Sequence, residues 1–184
     1  MTRLRYDPLT QTLHWIIAAA VIAAYAIGLV REDLPKGDFR AWLLTLHMQI
    51  GLLVAALSVV RIGWRAAHPA PEPVAATPTL RLAVRLGHLA LYVSLFAVPL
   101  VGLLAAWIKG RTVGVFGVAI ASPFAVDKPL AENLEHLHEF VAHAMLLLAG
   151  GHAVVAIAHQ FLLKDGTLAR MLPFLDPTPT RPAA

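Results

Sequence analysis

The chain of 184 residues contains no cysteine. That absence excludes covalent c-type haem attachment and thiolate-held iron–sulfur clusters, and it removes disulfides as a source of stability. Charge is also scarce: 14% of residues are Asp, Glu, Lys or Arg, against 58% hydrophobic, and the mean hydropathy is +0.68. A soluble domain rarely has such a balance. No phosphate-binding glycine motif, nucleophile elbow or internal repeat is present. The alternation of short strands that marks a membrane β-barrel is missing too.

The chain does have four long Leu/Ala/Val-rich stretches, near residues 9–30, 41–60, 86–107 and 137–163. Each is long enough to cross a hydrocarbon core of roughly 30 Å. They predict an all-α, integral membrane four-helix transmembrane bundle over residues 1–172, followed by a flexible cytoplasmic tail at 173–184, whose FLDPTPTRPAA run is too poor in apolar residues to pack. The first stretch, preceded by Arg3 and Arg5, superficially looks like a signal peptide. Its apolar run continues to Val30, beyond a usual signal core, so it reads as a retained helix. Pro69, Pro71, Pro73 and Pro78 predict an extended second loop, and Pro99 a kink in the third helix. Gly114, Phe116, Gly117 and Phe124 suggest a compact cap within the long connection at 108–136.

Lysine and arginine placement predicts the orientation. Nine fall on the side of the termini and the second loop (Arg3, Arg5, Arg61, Arg65, Arg81, Arg85, Lys164, Arg170, Arg181), and six on the other (Arg31, Lys36, Arg40, Lys109, Arg111, Lys128). Both termini are therefore expected in the cytoplasm. Trp15, Trp42, Trp64 and Trp107 all fall near helix ends, where indoles favour the interface. The basic balance belongs to this topology and not to nucleic-acid binding.

The chemistry is concentrated in histidines. His138 and His152 lie fourteen residues apart on the fourth helix, which places both on nearly one face, separated by roughly 21 Å. Alternating topology puts His14 at the level of His152, and His47 at the level of His138. One intramembrane histidine taken alone is more often a polar residue satisfied by a neighbouring helix. Four that match at two depths suit bis-imidazole ligation of two b-type haems, with His14 and His152 on the cytoplasmic side and His47 and His138 on the outer side. Gly28 and Gly51 leave room for a porphyrin edge. Arg61, fourteen residues after His47, is either a propionate partner or a positive-inside anchor. His88 is a hydrogen-bonding neighbour or a second propionate contact. His159, two turns after His152, is too close for another haem and is a candidate quinone or proton-carrying residue, or an interfacial packing residue. His68 reads as solvated in the loop, and His136 points about 160° away from His152. HEFVAH at 138–143 resembles a zinc-protease helix, but histidines five apart diverge by roughly 140°, so no hydrolase is expected.

The chain resembles the bacterial cytochrome b561 family through LHW at 13–15, LH at 46–47, LGHL at 86–89, LHE at 137–139, GHA at 151–153 and KDGTLARMLP at 164–173. The resemblance covers nearly the whole chain. It implies two haem b groups on the same four histidines, a multi-pass location in the bacterial inner membrane, and electron exchange with ubiquinone. In some relatives it further implies superoxide oxidation, for which Lys36, Lys109, Arg111 and Lys128 would attract the anion, although ordinary loop solubility also explains them. Related di-haem subunits anchor hydrogenases and formate dehydrogenases, so the resemblance leaves open a self-contained oxidoreductase or an anchor subunit serving a larger redox partner. A histidine-lined metal transporter is the third class, and reversible haem absorption would exclude it.

Overall fold

A computed structural model of the protein describes residues 5–68, 71, 77–115 and 117–175. Four long helices carry the fold: α1 (Pro8–Asp33), α2 (Asp38–Ala67), α3 (Pro78–Ile108) and α4 (Lys128–Phe161). All four are long and apolar enough to cross a membrane. In lipid every backbone N–H and C=O must be paired within the protein, which leaves helices as the available spanning element for such runs.

The helices outrun the apolar stretches because capping chemistry, not hydropathy, sets where they begin. Asp7 caps α1, accepting from the Thr10 N–H at 3.0 Å and the Thr10 hydroxyl at 2.6 Å, with Pro8 at the first helical position. Thr77 caps α3 in the same way, again followed by proline, so α3 starts at Pro78 and not near 86. Pro78 thus opens a helix and does not extend the second loop. Asp127 caps α4, accepting from the Leu130 N–H at 3.0 Å, which starts that helix at Lys128. Helix α3 continues through Pro99 and ends in a Schellman turn. There Gly110 takes φ +82°, its N–H bonds the Trp107 carbonyl at 2.8 Å, and the Arg111 N–H bonds Ala106 at 3.0 Å.

The connection between α3 and α4 is therefore shorter than expected. It carries a two-stranded antiparallel hairpin, β1 (Val113–Val115) and β2 (Val118–Ile120), in which Val113 pairs with Ile120 and Val115 with Val118. Gly117, at φ +89°, supplies the left-handed turn residue. Val113 is fully buried beneath the cap. Phe116, Pro69 and Pro73 lie outside the described residues.

The helices associate as two hairpins. α1 packs on α2 and α3 on α4 more extensively than α2 packs on α3, while α1 and α4 barely touch. Few side chains are buried inside: Leu13, Ile17, Leu43, Val54 and Met145 face the centre, and residues such as Phe140 and Leu147 point outward at 71% and 77% exposure. That pattern suits lipid contact on the outside of the bundle. We call the end holding both termini the terminal end, and the end holding the α1–α2 and α3–α4 connections the loop end.

At the terminal end, two of the interfacial indoles are tied to the protein. Trp64 donates to Asp7 at 2.9 Å, and Trp15 donates to the Met171 carbonyl at 3.1 Å. Two 3-10 turns, η1 (Leu168–Arg170) and η2 (Pro173–Leu175), follow α4 and pack against it and each other. Residues 173–175, assigned to the tail from sequence, form that last turn, and 176–184 lie outside the described residues.

Burial raises the Asp7 carboxyl pKa, but the hydrogen bonds from Thr10 and Trp64 outweigh it and bring the value down to about 2. Because the folded pKa is depressed, this contribution is complete above the unfolded value near 3.9 and is lost as pH falls toward about 2. Asp7→Ala should cost about 1 kcal/mol, as a lost cap does, and should remove the acid-dependent part of the loss. Thermal unfolding of both proteins in mild detergent between pH 6 and pH 2 checks this.

Candidate functional site

Each hairpin sends histidines into the space between the hairpins, and they meet at two depths. At the loop end, His47 of α2 and His138 of α4 face each other with ring centroids 5.9 Å apart and planes at 82°. At the terminal end, His14 of α1 and His152 of α4 stand 6.3 Å apart at 81°. A metal held between two imidazoles at bond lengths of about 2.0 Å puts the ring centres roughly 6 Å apart, so both separations suit a shared metal. Among the described residues no group of three or more His, Cys, Asp or Glu side chains is set to hold a metal ion. Two-histidine sites therefore require a group that brings the remaining equatorial donors itself, as a porphyrin does.

Both imidazoles of the loop-end pair are held by backbone carbonyls. His47 donates its Nδ1–H to the Ala24 carbonyl of α1, and His138 donates its Nδ1–H to the Val98 carbonyl of α3, both at 2.9 Å. Each bond fixes the tautomer and leaves Nε2 as the free nitrogen, the usual outer-shell arrangement of a ligating histidine. Each also joins the two helices of one hairpin. Small residues make the approach possible. A Cβ on Gly102 would fall 2.8 Å from the His138 ring, and one on Gly28 would fall 3.5 Å from the His47 ring. Gly28 thus accommodates an imidazole rather than only a porphyrin edge, while Gly51 has the Pro99 side chain 3.9 Å from its Cβ position.

A cavity of about 1030 Å³ surrounds this pair and is lined by all four helices, including Gly28, Gly51, Gly102 and Met145. A volume of that size suits a large cofactor. Its lining carries the basic residues Arg31, Lys36, Arg40 and Arg111 with the carboxylates of Glu32 and Glu139, and Lys109 is paired to Glu135 at 2.6 Å, so the charged lining is net basic. Of the four outer cations singled out in the sequence, Lys36, Lys109 and Arg111 line the cavity and Lys128 does not. Arg31 and Arg40 belong to the lining as well. Tyr25 and His143 also line the cavity, with rings 5.5 Å apart.

The terminal-end pair has a different surround. His88 of α3 approaches His152 to 5.3 Å between ring centroids, while its Nδ1–H is bonded to the Val84 carbonyl of its own helix at 2.8 Å. The Arg61 guanidinium lies 5.8 Å above the Tyr92 ring, and its charge acts on both His14 and His152. Arg61 Nε and, one turn earlier, Ser58 Oγ are buried without a hydrogen-bond partner. A guanidinium whose buried Nε has no hydrogen-bond partner suits an anionic substituent such as a haem propionate. His159 lies at this end and donates its Nδ1–H to Asp165 at 2.5 Å.

The remaining histidines stand apart. His68 is not simply solvated: it closes α2, bonds the Trp64 carbonyl at 3.0 Å and stacks on the Trp64 ring at 3.7 Å. His136 is exposed beside Glu139. His143 lines the same cavity but bonds the Glu139 carbonyl of its own helix and faces Tyr25, and among the described residues no third ligand joins it and His138, so no zinc-protease site forms. Sequence reasoning missed Gly102, Tyr25, Ser58 and Asp165. Of these, Asp165 had a readable signal in the Asp-Gly-Thr turn that follows His159.

Residues 5–174 match the family model described as Prokaryotic cytochrome b561. The chain is 35% identical over 173 residues to Cytochrome b561 homolog 2 of Escherichia coli K12, covering 91% of each protein. It is 34% identical over 175 residues to Cytochrome b562 of Cereibacter sphaeroides, covering 91% of this chain and 94% of that one. It is 27% identical over 171 residues to the Probable superoxide oxidase CybB of Yersinia pestis, covering 92% and 96%.

The contact at Gly102 separates two effects of one methyl group. Gly102→Ala must push the His138 ring off Val98, and should cost about 1–3 kcal/mol as overpacking does. Gly63→Ala, with nothing within 4 Å of the new Cβ, should instead gain about 0.5–1 kcal/mol from helix propensity. Melting temperatures of the two variants in detergent should move in opposite directions.

Proposed function

The chain belongs to the prokaryotic cytochrome b561 family of haem b membrane electron-transfer proteins, and we propose that it carries two haems and moves electrons across the inner membrane to ubiquinone. The observation that carries this reading is the pair of facing histidines at two depths, 5.9 Å and 6.3 Å apart. His47 and His138 hold one haem and His14 and His152 the other. Bound haem supplies the one-electron ferric–ferrous chemistry.

The residues of the chain supply position, charge and access. The Ala24 and Val98 carbonyls orient the loop-end imidazoles and raise their basicity as ligands. Arg61 serves a propionate of the terminal-end haem, supported by its unpaired Nε, and His88 stands beside it as a second polar contact. Both termini lie in the cytoplasm, a reading supported by the nine-to-six excess of Lys and Arg at that end.

At the periplasmic mouth, Arg31, Lys36, Arg40 and Arg111 draw a small anion toward His47 and His138. Superoxide fits that field and the one-electron chemistry, and the similarity to the protein named a probable superoxide oxidase supports it. The electron leaves at the cytoplasmic end, where His159 hydrogen-bonds the quinone headgroup. Turnover of superoxide and a short-chain ubiquinone by the purified chain tests the whole reading. Obligate co-purification with a catalytic subunit would instead favour an anchor.

Two haems per chain are expected from the haem-to-protein ratio. His14→Ala and His152→Ala should each remove one and the same redox transition, and His47→Ala and His138→Ala the other. Loss of a common transition in the His14 and His47 variants would overturn the pairing. His159→Leu should slow haem reoxidation by ubiquinone about 100-fold, the lower range for a lost acid–base group, while both haem spectra persist.

A further inference from the structure

After Phe161 the chain turns back beneath the last turns of α4. Lys164 and Gly166 both take left-handed backbone, at φ 54° and 74°, and Asp165 between them turns toward the helix. Its Oδ1 accepts from the Thr167 N–H at 3.0 Å and the Thr167 hydroxyl at 2.7 Å, and its Oδ2 accepts from His159 Nδ1 at 2.5 Å. The Asp165 N–H also reaches the His159 carbonyl at 3.2 Å. His159 and Asp165 are 22% and 19% exposed.

The turn is secured from both sides. Gln160 accepts the Ala169 N–H at 3.1 Å, and the Arg170 carbonyl accepts from Gln11 at 3.1 Å and from the Tyr6 N–H at 3.3 Å. These bonds tie the segment to α1 beside the His14 level. Burial opposes ionisation of Asp165, but the bonds from Thr167 and His159 outweigh it and hold the carboxyl below its ordinary range. An ionised carboxylate can only accept, so Nδ1 of His159 carries the proton and Nε2 is its open nitrogen.

We propose that Asp165 is a positioning residue that locks His159 with Nδ1 protonated, so that Nε2 exchanges protons with a quinone carbonyl oxygen. This rests on the quinone reading above. Full reduction of a quinone takes two electrons and two protons. Each electron is released by oxidation of one superoxide to dioxygen and reaches the quinone through the bundle. In each proton step the Nε2–H bond of imidazolium His159 breaks and an O–H bond forms on the quinone. His159 then regains a proton from water at this end. Asp165 stays ionised throughout and stabilises the imidazolium, as the orienting carboxylate does in a hydrolase triad.

The test uses the haem-loaded protein in detergent with a short-chain ubiquinone. Asp165→Asn should leave both haem spectra intact and lower kcat about tenfold or more, with KM within about twofold, and Asp165→Glu should restore most of the rate. Without quinone, the ¹⁵N shifts of the His159 ring should report Nδ1–H in the parent and lose that preference in D165N. Should D165N not insert, Thr167→Val removes one carboxylate bond and should lower kcat about two- to threefold. A parental kcat in D165N, or a raised KM alone, overturns the proposal. If His159→Leu is slow while D165N is normal, only the positioning role of Asp165 fails. If both are normal, the quinone site itself is misplaced.

Discussion

The 5.9 Å gap between the His47 and His138 rings is the constraint around which the bundle is built. Two imidazoles from different hairpins must meet with their Nε2 atoms free, and each must spend its other nitrogen on a neighbouring backbone. The Ala24 and Val98 carbonyls take that role, each from the partner helix of the same hairpin. One interaction therefore packs a hairpin and orients an imidazole at once. Gly28 and Gly102 follow from it, since a side chain at either position would compete with a ring for the same space. In lipid, apolar burial gives helices little reason to associate, so small residues and interhelical hydrogen bonds carry a larger share of the packing. The limited contact between α1 and α4 is consistent with halves designed to be joined by what lies between them.

The two ends are built differently. The loop end combines a wide cavity with a net basic lining, in which Lys109 is neutralised by Glu135 and Arg31, Lys36, Arg40 and Arg111 outnumber Glu32 and Glu139. Such a lining accelerates arrival of a small anion without needing to hold it. The terminal end instead has caps, tied indoles and a folded-back segment that converge on α1 and α4. Two hydrogen-bonded sets stand there, Asp7 with Thr10 and Trp64, and Asp165 with Thr167 and His159, while Arg61 Nε and Ser58 Oγ stay without a partner. Rigid, oriented groups suit proton handling better than electrostatic capture does.

Much of this was legible in the sequence because depth in a membrane is a one-dimensional property. Helix order and residue number suffice to bring His14 level with His152 and His47 level with His138, and the structure puts those rings together. Helix ends were less legible. Hydropathy locates where a segment is apolar, whereas Thr77, Pro78 and Asp127 decide where the backbone begins to coil. The Ala24 and Val98 contacts are made by carbonyls, which leave no trace in residue identity. Gly102 had no sequence signal beyond being small, since only the paired helices determine what its face meets. Arg31 and Arg40 were visible only as topological charges, because their convergence with Lys36 depends on how the α1–α2 turn folds.

The proposed orientation sets an energetic requirement on the donor. An electron entering near His47 and leaving near His159 moves toward the cytoplasm, which is the negative side of an energised membrane. Each elementary charge moved across 100 mV in that direction costs about 2.3 kcal/mol. Proton uptake at the same cytoplasmic end does not relieve this cost, because those protons cross none of the membrane. The difference in potential between donor and quinone must therefore exceed the membrane potential for net transfer. A strongly reducing one-electron donor satisfies that condition, whereas a donor near the quinone's own potential would run the chain backward. In the proposed reading the net basic lining favours a small anion over a neutral quinol, which is a donor of the first kind.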